Sequence, residues 1–174
     1  MVRVARAAEL LAVEHSVSAP KARLAGMLHD LARLYTGPRL IAECEMRQMT
    51  IGAFERANPI VLHARLGACI AQEAFAVHDA EVLSAIEKHT VAADHMSPLD
   101  CVVFLADGLE PGRTFPERAE LWEIAKRNLA DGMRVTLAHS LRYFRKKGMA
   151  VAPQTAAAAK RFGLALEEVT TSLN

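Results

Sequence analysis

The sequence predicts an all-α fold, and three observations predict it. The chain is rich in Ala, Leu, Glu and Arg, residues that lose little on entering a helix. Aromatic residues make up only 5% of it, so little material is present for the aromatic and β-branched runs that strands favour. Apolar residues recur at three and four positions apart, and no stretch sustains the alternation of a half-buried strand. A length of 174 residues suits one helical domain with a real core, and a single domain spanning residues 1–174 is expected.

A first helix is expected over residues 4–15, where Val4, Ala7, Ala8, Leu11 and Ala12 form one stripe. Pro20 suits the first turn of a second, which should continue through His29 and Asp30 to about Tyr35. Thr36-Gly37-Pro38 breaks the chain, and a helix over 39–49 follows. Residues 50–57 are the least periodic and read as loop. Asn58-Pro59 starts a helix carrying His63, with Gly67-Ala68 one turn on, small enough for a neighbouring helix to come close to the histidine. Asp79 opens the next, with Val82, Leu83 and Ile86 as its apolar face and His89 near its end. A strongly apolar helix over 99–109 stops at Pro111-Gly112 and holds Asp107 in its last turn. One long helix over 116–147, bent near Gly132, and a final one over 155–169 complete the expectation.

A formal net charge of +1 with both signs interspersed gives no argument for a nucleic-acid or membrane partner. Neither a spanning run of roughly 18 apolar residues nor a signal-peptide block is present, so a cytoplasmic protein is expected. The three cysteines, Cys44, Cys69 and Cys101, lack the spacing of a zinc knot or a disulfide framework and read as reduced, buried hydrophobes.

The chemistry concentrates where polar residues interrupt apolar runs. His29–Asp30 lies in LAGMLHDLARL, His63 in IVLHARLGA, His89 in LSAIEKHT and Asp107 in VVFLADGLEPGR. A histidine or carboxylate removed from water costs several kcal/mol unless it is hydrogen-bonded, paired or metal-bound. Alone, His63 or His89 would read as a hydrogen-bonded structural residue, and Asp107 as a cap or an arginine partner. Together the five make a donor set of imidazole nitrogens and carboxylate oxygens without thiolate, which suits iron, manganese, zinc or nickel. A carboxylate beside a histidine can bridge two ions about 3.5 to 4 Å apart, a spacing suited to metal-assisted hydrolysis of a phosphoester.

The second His-Asp pair, His78–Asp79, is explained by capping at a helix start. His15, His95 and His139 read as surface residues. Arg33, one turn beyond Asp30, and Arg113, just after the Asp107 helix, are the leading candidates to grip phosphate through paired N–H groups; Arg65 and Lys88 are weaker ones.

The motifs LAGMLHDLAR, LHARLGA, IEKHT and above all LADGLEPGRTFP resemble those of the HD superfamily of metal-dependent phosphohydrolases, and within it the YqeK family of symmetrical diadenosine tetraphosphate hydrolases. The resemblance extends to LRYFRKKGMAVAPQTAAAAKRF near the C-terminus. It implies a helical domain with two metal ions, generally iron, that cleaves the tetraphosphate bridge to two ADP by means of a metal-bound hydroxide. Carried onto matching positions, it makes His29, Asp30, His63, His89 and Asp107 the metal ligands, with Asp30 as the bridge. Asp30, Arg33 and Arg113 would then serve catalysis, the arginines by binding phosphate.

Three departures accompany the resemblance. The family's additional histidine ligand on the first helix would fall before Met1, which implies either a start further upstream or a reduced metal site. Its glycine after His-Thr is replaced here by Val91 or Ala92, and Arg65 stands where proline is common. The alternatives are an HD phosphohydrolase acting on a nucleoside monophosphate, a dNTP or a guanosine alarmone, and a nucleotide-binding HD protein with reduced activity. An HD-fold di-iron oxygenase would leave the arginines without a role. A homodimer is compatible with the apolar helices, as is a buried core.

Overall fold

The computed structural model, which describes residues 1–165, contains ten α-helices among those residues. They are α1 (Val2–Glu14), α2 (Ala19–Leu28), α3 (Gly37–Met46), α4 (Ala53–Ala57), α5 (Leu62–Phe75), α6 (Ala80–Lys88), α7 (Pro98–Leu109), α8 (Arg118–Arg127), α9 (Leu129–Lys146) and α10 (Pro153–Arg161). A 3-10 turn at Pro59–Val61 leads into α5, and no strand occurs among the described residues. None of these helices is long and apolar enough to cross a membrane.

The most apolar stretch of the sequence becomes the central rod. Ser97 caps α7: its hydroxyl accepts the Asp100 N–H at 3.1 Å while the Asp100 carboxylate accepts the Ser97 N–H at 2.8 Å. From there α7 is buried on nearly every side, with Leu99, Val102, Val103, Leu105, Ala106 and Leu109 in the core. It touches α1, α2, α6, α8 and α9, so side chains at its end can meet residues from several helices. A smaller cluster, built on Leu40, Cys44, Leu62 and Leu66, joins α3 to α5. Cys44 and Cys101 are buried and Cys69 is half-buried, and all three are free thiols.

Two close approaches set the spacing near the histidines. A Cβ at Gly26 would stand 2.8 Å from the Ala5 Cα, so α1 and α2 touch backbone to backbone there. A Cβ at Gly67 would stand 3.3 Å from the His29 carbonyl oxygen, so the small residues after His63 do let the end of α2 approach α5.

Several boundaries differ from the sequence expectation. The second helix stops at Leu28, and residues 29–34 continue as turns closed by Leu31 N–H to Leu28 O, Arg33 N–H to Asp30 O and Tyr35 N–H to Ala32 O. His29 itself keeps helical backbone angles, φ −53° and ψ −35°, and from this last turn its ring and the Asp30 carboxylate meet at 3.3 Å. Part of the expected 50–57 loop is the short helix α4, held by the Glu55 carboxylate accepting the Gly52 N–H at 2.8 Å. The expected long helix is two, α8 and α9, parted at Asn128, whose side chain caps α9 by accepting the Asp131 N–H at 3.0 Å. Gly132 is the contact point between them, since a Cβ there would lie 2.7 Å from the Ala125 Cα. The final helix ends at Arg161, and residues 166–169 of its expected span lie outside the described residues.

Candidate metal centre

His29 is the C-cap of α2 and His89 the C-cap of α6. His63 lies in the first turn of α5 and Asp107 in the last turn of α7. All three histidines are buried, at 1, 4 and 3% exposure for His29, His63 and His89. Each uses Nδ1 in the same way, donating to the carbonyl three residues earlier: His29 to Gly26 at 2.8 Å, His89 to Ile86 at 2.7 Å, and His63 to Ile60. For His29 and His89 the acceptor belongs to the last helical turn, where carbonyls lack intrahelical partners. Because a carbonyl only accepts, Nδ1 carries a proton in each ring, and Nε2 is the atom each ring turns to the centre.

The donors converge. Asp30 sets Oδ2 at 3.3 Å from His29 Nε2, and Oδ1 at 3.3 Å from His63 Nε2 and 3.8 Å from His89 Nε2. Asp107 Oδ1 lies 3.6 Å from His29 Nε2. The result is two overlapping triads, His29–His89–Asp107 and Asp30–His63–His89, whose ligand atoms lie within 4.8 Å of one another in each triad.

The donor set fits a cation. His63 Nε2 and His89 Nε2 face each other at 3.1 Å, although each ring's only proton is committed at Nδ1. The Thr90 hydroxyl, 3.1 and 3.0 Å from the two nitrogens, has one proton for both. Two carboxylates add negative charge at the same place, so positive charge between the donors relieves both problems.

The electrostatics carry the same sign. Burial works to lower the His29 pKa, but Asp107 and Asp30 outweigh it and raise the pKa to about 9. Burial also works to raise both carboxyl groups. Nevertheless Asp107 is held at about 2 by His29 and Arg113, and Asp30 falls well below the carboxylate range beside the three imidazoles. Burial dominates at His89 and lowers it.

Asp30, His63, His89 and Asp107 open into a cavity of about 670 Å³ that Arg33 and Arg113 also line. The Arg113 guanidinium donates to Asp107 Oδ1 at 2.6 Å and to the Asp107 carbonyl at 2.9 Å. Arg33 is exposed and has no ion-pair partner among the described residues.

The two weaker phosphate candidates are elsewhere. Arg65 points to the α4 side, donating to Glu55 at 2.8 Å and to the Thr50 carbonyl at 2.9 Å. Lys88 turns away from its neighbour His89 to pair with the buried Asp100 at 2.8 Å. Neither lines the cavity. Their position, away from the cavity that holds the converging donors, sets both apart from Arg33 and Arg113.

Sequence reasoning missed a second set of residues that line the same cavity. Phe115, Thr136, His139, Ser140, Tyr143 and Phe144 line it, and five of these repeat at three- and four-residue steps along α9, which was the available signal. His139 is therefore a half-buried cavity residue rather than a surface one. His15 is likewise half-buried, 2.7 Å from the Ala125 carbonyl, whereas His95 is exposed as expected. The Thr90 hydroxyl, part of the His-Thr motif, was also legible in principle.

Comparison with known proteins identifies the family. The chain is 33% identical over 144 residues to a Mycoplasma genitalium protein named "probable nicotinate-nucleotide adenylyltransferase/Ap4A hydrolase", a match covering 78% of this chain and 40% of that one. It is 30% identical over 152 residues to a symmetrical bis(5'-nucleosyl)-tetraphosphatase of Halalkalibacterium halodurans, covering 84% and 78% respectively. The chain thus spans less than half the length of the Mycoplasma relative but most of the second. An HD superfamily hydrolase of Clostridium acetobutylicum, described as involved in NAD metabolism, superposes with a TM-score of 0.90 at 29% identity, over 92% of this chain and 85% of that one. The HD domain family model matches residues 1–112, the stretch that holds all five converging donors, and the chain belongs to the HD domain family.

Proposed function

We propose that the chain is a metal-dependent hydrolase that cleaves diadenosine tetraphosphate symmetrically into two ADP. His29, Asp30, His63, His89 and Asp107 would hold two divalent ions, with iron the first choice and manganese, zinc or nickel the alternatives. The observation that carries the reading is the facing of His63 Nε2 and His89 Nε2 at 3.1 Å beside two carboxylates, in a cavity that also holds two arginines. The substrate is supported by the names of relatives that match most of the chain.

When bound, such ions supply Lewis acidity, lowering the pKa of a water and neutralising phosphate charge. The protein's own groups do the rest. Asp30 offers one oxygen to each side of the centre, towards His29 and towards His63 and His89, which suits a bridging carboxylate. The three Nδ1–H to carbonyl bonds hold the rings so that their Nε2 atoms stay convergent. Arg113 and Arg33 would bind the bridge oxygens and fix the scissile link against the centre.

The test is metal analysis of protein purified without a metal-affinity tag, followed by incubation of the metal-loaded protein with a panel of nucleotides. About two equivalents of metal per chain and ADP as the main product from diadenosine tetraphosphate are expected. Faster turnover of a nucleoside monophosphate, dNTP or guanosine alarmone would displace this substrate, and metal-free protein inert to added ions would displace the hydrolase reading altogether.

A further inference from the structure

The cavity lining is of two chemical kinds. One is the imidazole-carboxylate cluster with Arg33 and Arg113; the other is aromatic and hydroxyl-bearing. In that second group the rings of Phe115 and His139 stack at 4.3 Å between centroids and 25° between planes. Burial lowers the His139 pKa against the opposing pull of Glu117, 3.8 Å away, and so favours the uncharged ring as a stacking surface. Tyr143, 49% exposed, stands one turn further along α9. The hydroxyls of Ser140 and Tyr143 make no hydrogen bond among the described residues although both line the cavity, so they remain free to donate and accept. All of this wall comes from residues beyond 112, outside the stretch that matches the HD domain.

We propose that the α9 wall of the cavity, with Phe115, is a nucleoside-binding shelf: the aromatic surface takes a base, and Ser140 and Tyr143 take the polar edges of the base and sugar. The proposal rests on the hydrolase reading for its ligand class, a nucleoside 5'-diphosphate unit, but draws its residues from a different part of the chain. Polarity orients that ligand. Phosphate oxygens belong beside Arg33 and Arg113, whereas an uncharged heteroaromatic ring gains more from the Phe115–His139 surface, where stacking tolerates any base. The shared HD part would thus supply the phosphate chemistry, and the helices that follow it would select what is attached to the phosphate.

The test compares calorimetric binding of ADP and of inorganic pyrophosphate, which lacks the nucleoside, to the full chain loaded with Mn2+. The unaltered protein is expected to bind ADP about tenfold or more tighter than pyrophosphate, the range that stacking on an aromatic side chain supplies. Tyr143→Ala and Ser140→Ala should weaken ADP binding severalfold and leave pyrophosphate binding unchanged, and Tyr143→Phe should separate ring from hydroxyl. Both sites are accessible enough to keep the fold, which thermal melting checks. Equal affinity for the two ligands in the unaltered protein, or variants that weaken both alike or neither, overturns the shelf. Selective ADP binding without cleavage of diadenosine tetraphosphate would keep the shelf and remove the hydrolase reading, so the two failures are distinguishable.

Discussion

Glu110 and Arg3, 107 positions apart in the sequence, form an ion pair at 2.8 Å, with the glutamate buried and the arginine exposed. The same carboxylate accepts the Gly112 N–H at 2.7 Å, and the Glu110 carbonyl accepts the Arg113 N–H at 2.9 Å. The pair therefore ties α1 to the turn that carries Arg113 to Asp107. Glu110→Gln weakens that tie without removing volume, and is expected to lower kcat/KM about tenfold or less while metal content stays unchanged. Arg3→Ala should cost about 1 kcal/mol, the scale of one lost hydrogen-bonded partner, measured by urea unfolding. Loss of metal on Glu110→Gln would place the effect in the cluster instead.

Arg113 and Arg65 give opposite expectations. Arg113→Ala removes the guanidinium from the cavity and should reduce kcat/KM at least tenfold, with Arg113→Lys restoring little because a paired N–H fork is lost. Arg65→Ala breaks a link to Glu55 on the other side of α5 and should leave turnover unchanged while lowering the melting temperature. Comparable activity losses in both would contradict the division made here.

Metal removal should be visible in stability as well as in turnover. A ligand bound only by the folded chain at a hundred times its Kd adds about 2.7 kcal/mol. For a chain of this size that corresponds to a rise of about 5 to 10 °C in Tm. Adding Mn2+ to chelator-treated protein should raise Tm accordingly, and Asp30→Asn should abolish most of the rise. An identical melting curve with and without the ion would count against a cation at the centre.

Gly26→Ala reverses a usual sign. Alanine normally gains about 1 kcal/mol over glycine inside a helix, but here its Cβ would meet the Ala5 backbone at 2.8 Å. Overpacking costs about 1–3 kcal/mol, so a net loss of stability is expected in chemical denaturation. Since the Gly26 carbonyl also anchors the His29 ring, metal affinity should fall with it. A stabilised variant would show that α1 can move aside freely.

The Asp79 carboxylate should contribute to acid sensitivity. Its pKa is lowered first by the Lys21 ammonium and then by the Val82 and Glu81 amides at the start of α6. A carboxyl whose pKa is lower folded than unfolded stabilises above the unfolded value of about 3.9, and that contribution disappears as pH falls through the folded value. Asp79→Asn keeps a capping oxygen but loses the charge. Its stability deficit against the unaltered chain should be full near pH 7 and shrink below about pH 4, as followed by urea midpoints across pH. A deficit independent of pH would mean that only the cap matters.

The sequence by itself determined the all-α class, the central apolar helix, the cap at Asp79 and the identities of the five converging donors. These follow from local causes: periodicity, capping chemistry and the cost of placing histidine or aspartate in an apolar run. Tertiary structure alone decided where α2 ends and that α8 and α9 part at Asn128. It also decided that Arg65 and Lys88 are consumed by Glu55 and Asp100, and that His139 turns inwards onto Phe115. In each of these cases the partner lies on another element, so the direction of a side chain and the pairing of a charge are settled by packing that no single window of sequence contains. The fixed Nδ1 protons belong to the same class. A histidine's type is written in the chain, but which nitrogen it offers depends on the carbonyl that the folded backbone leaves within reach.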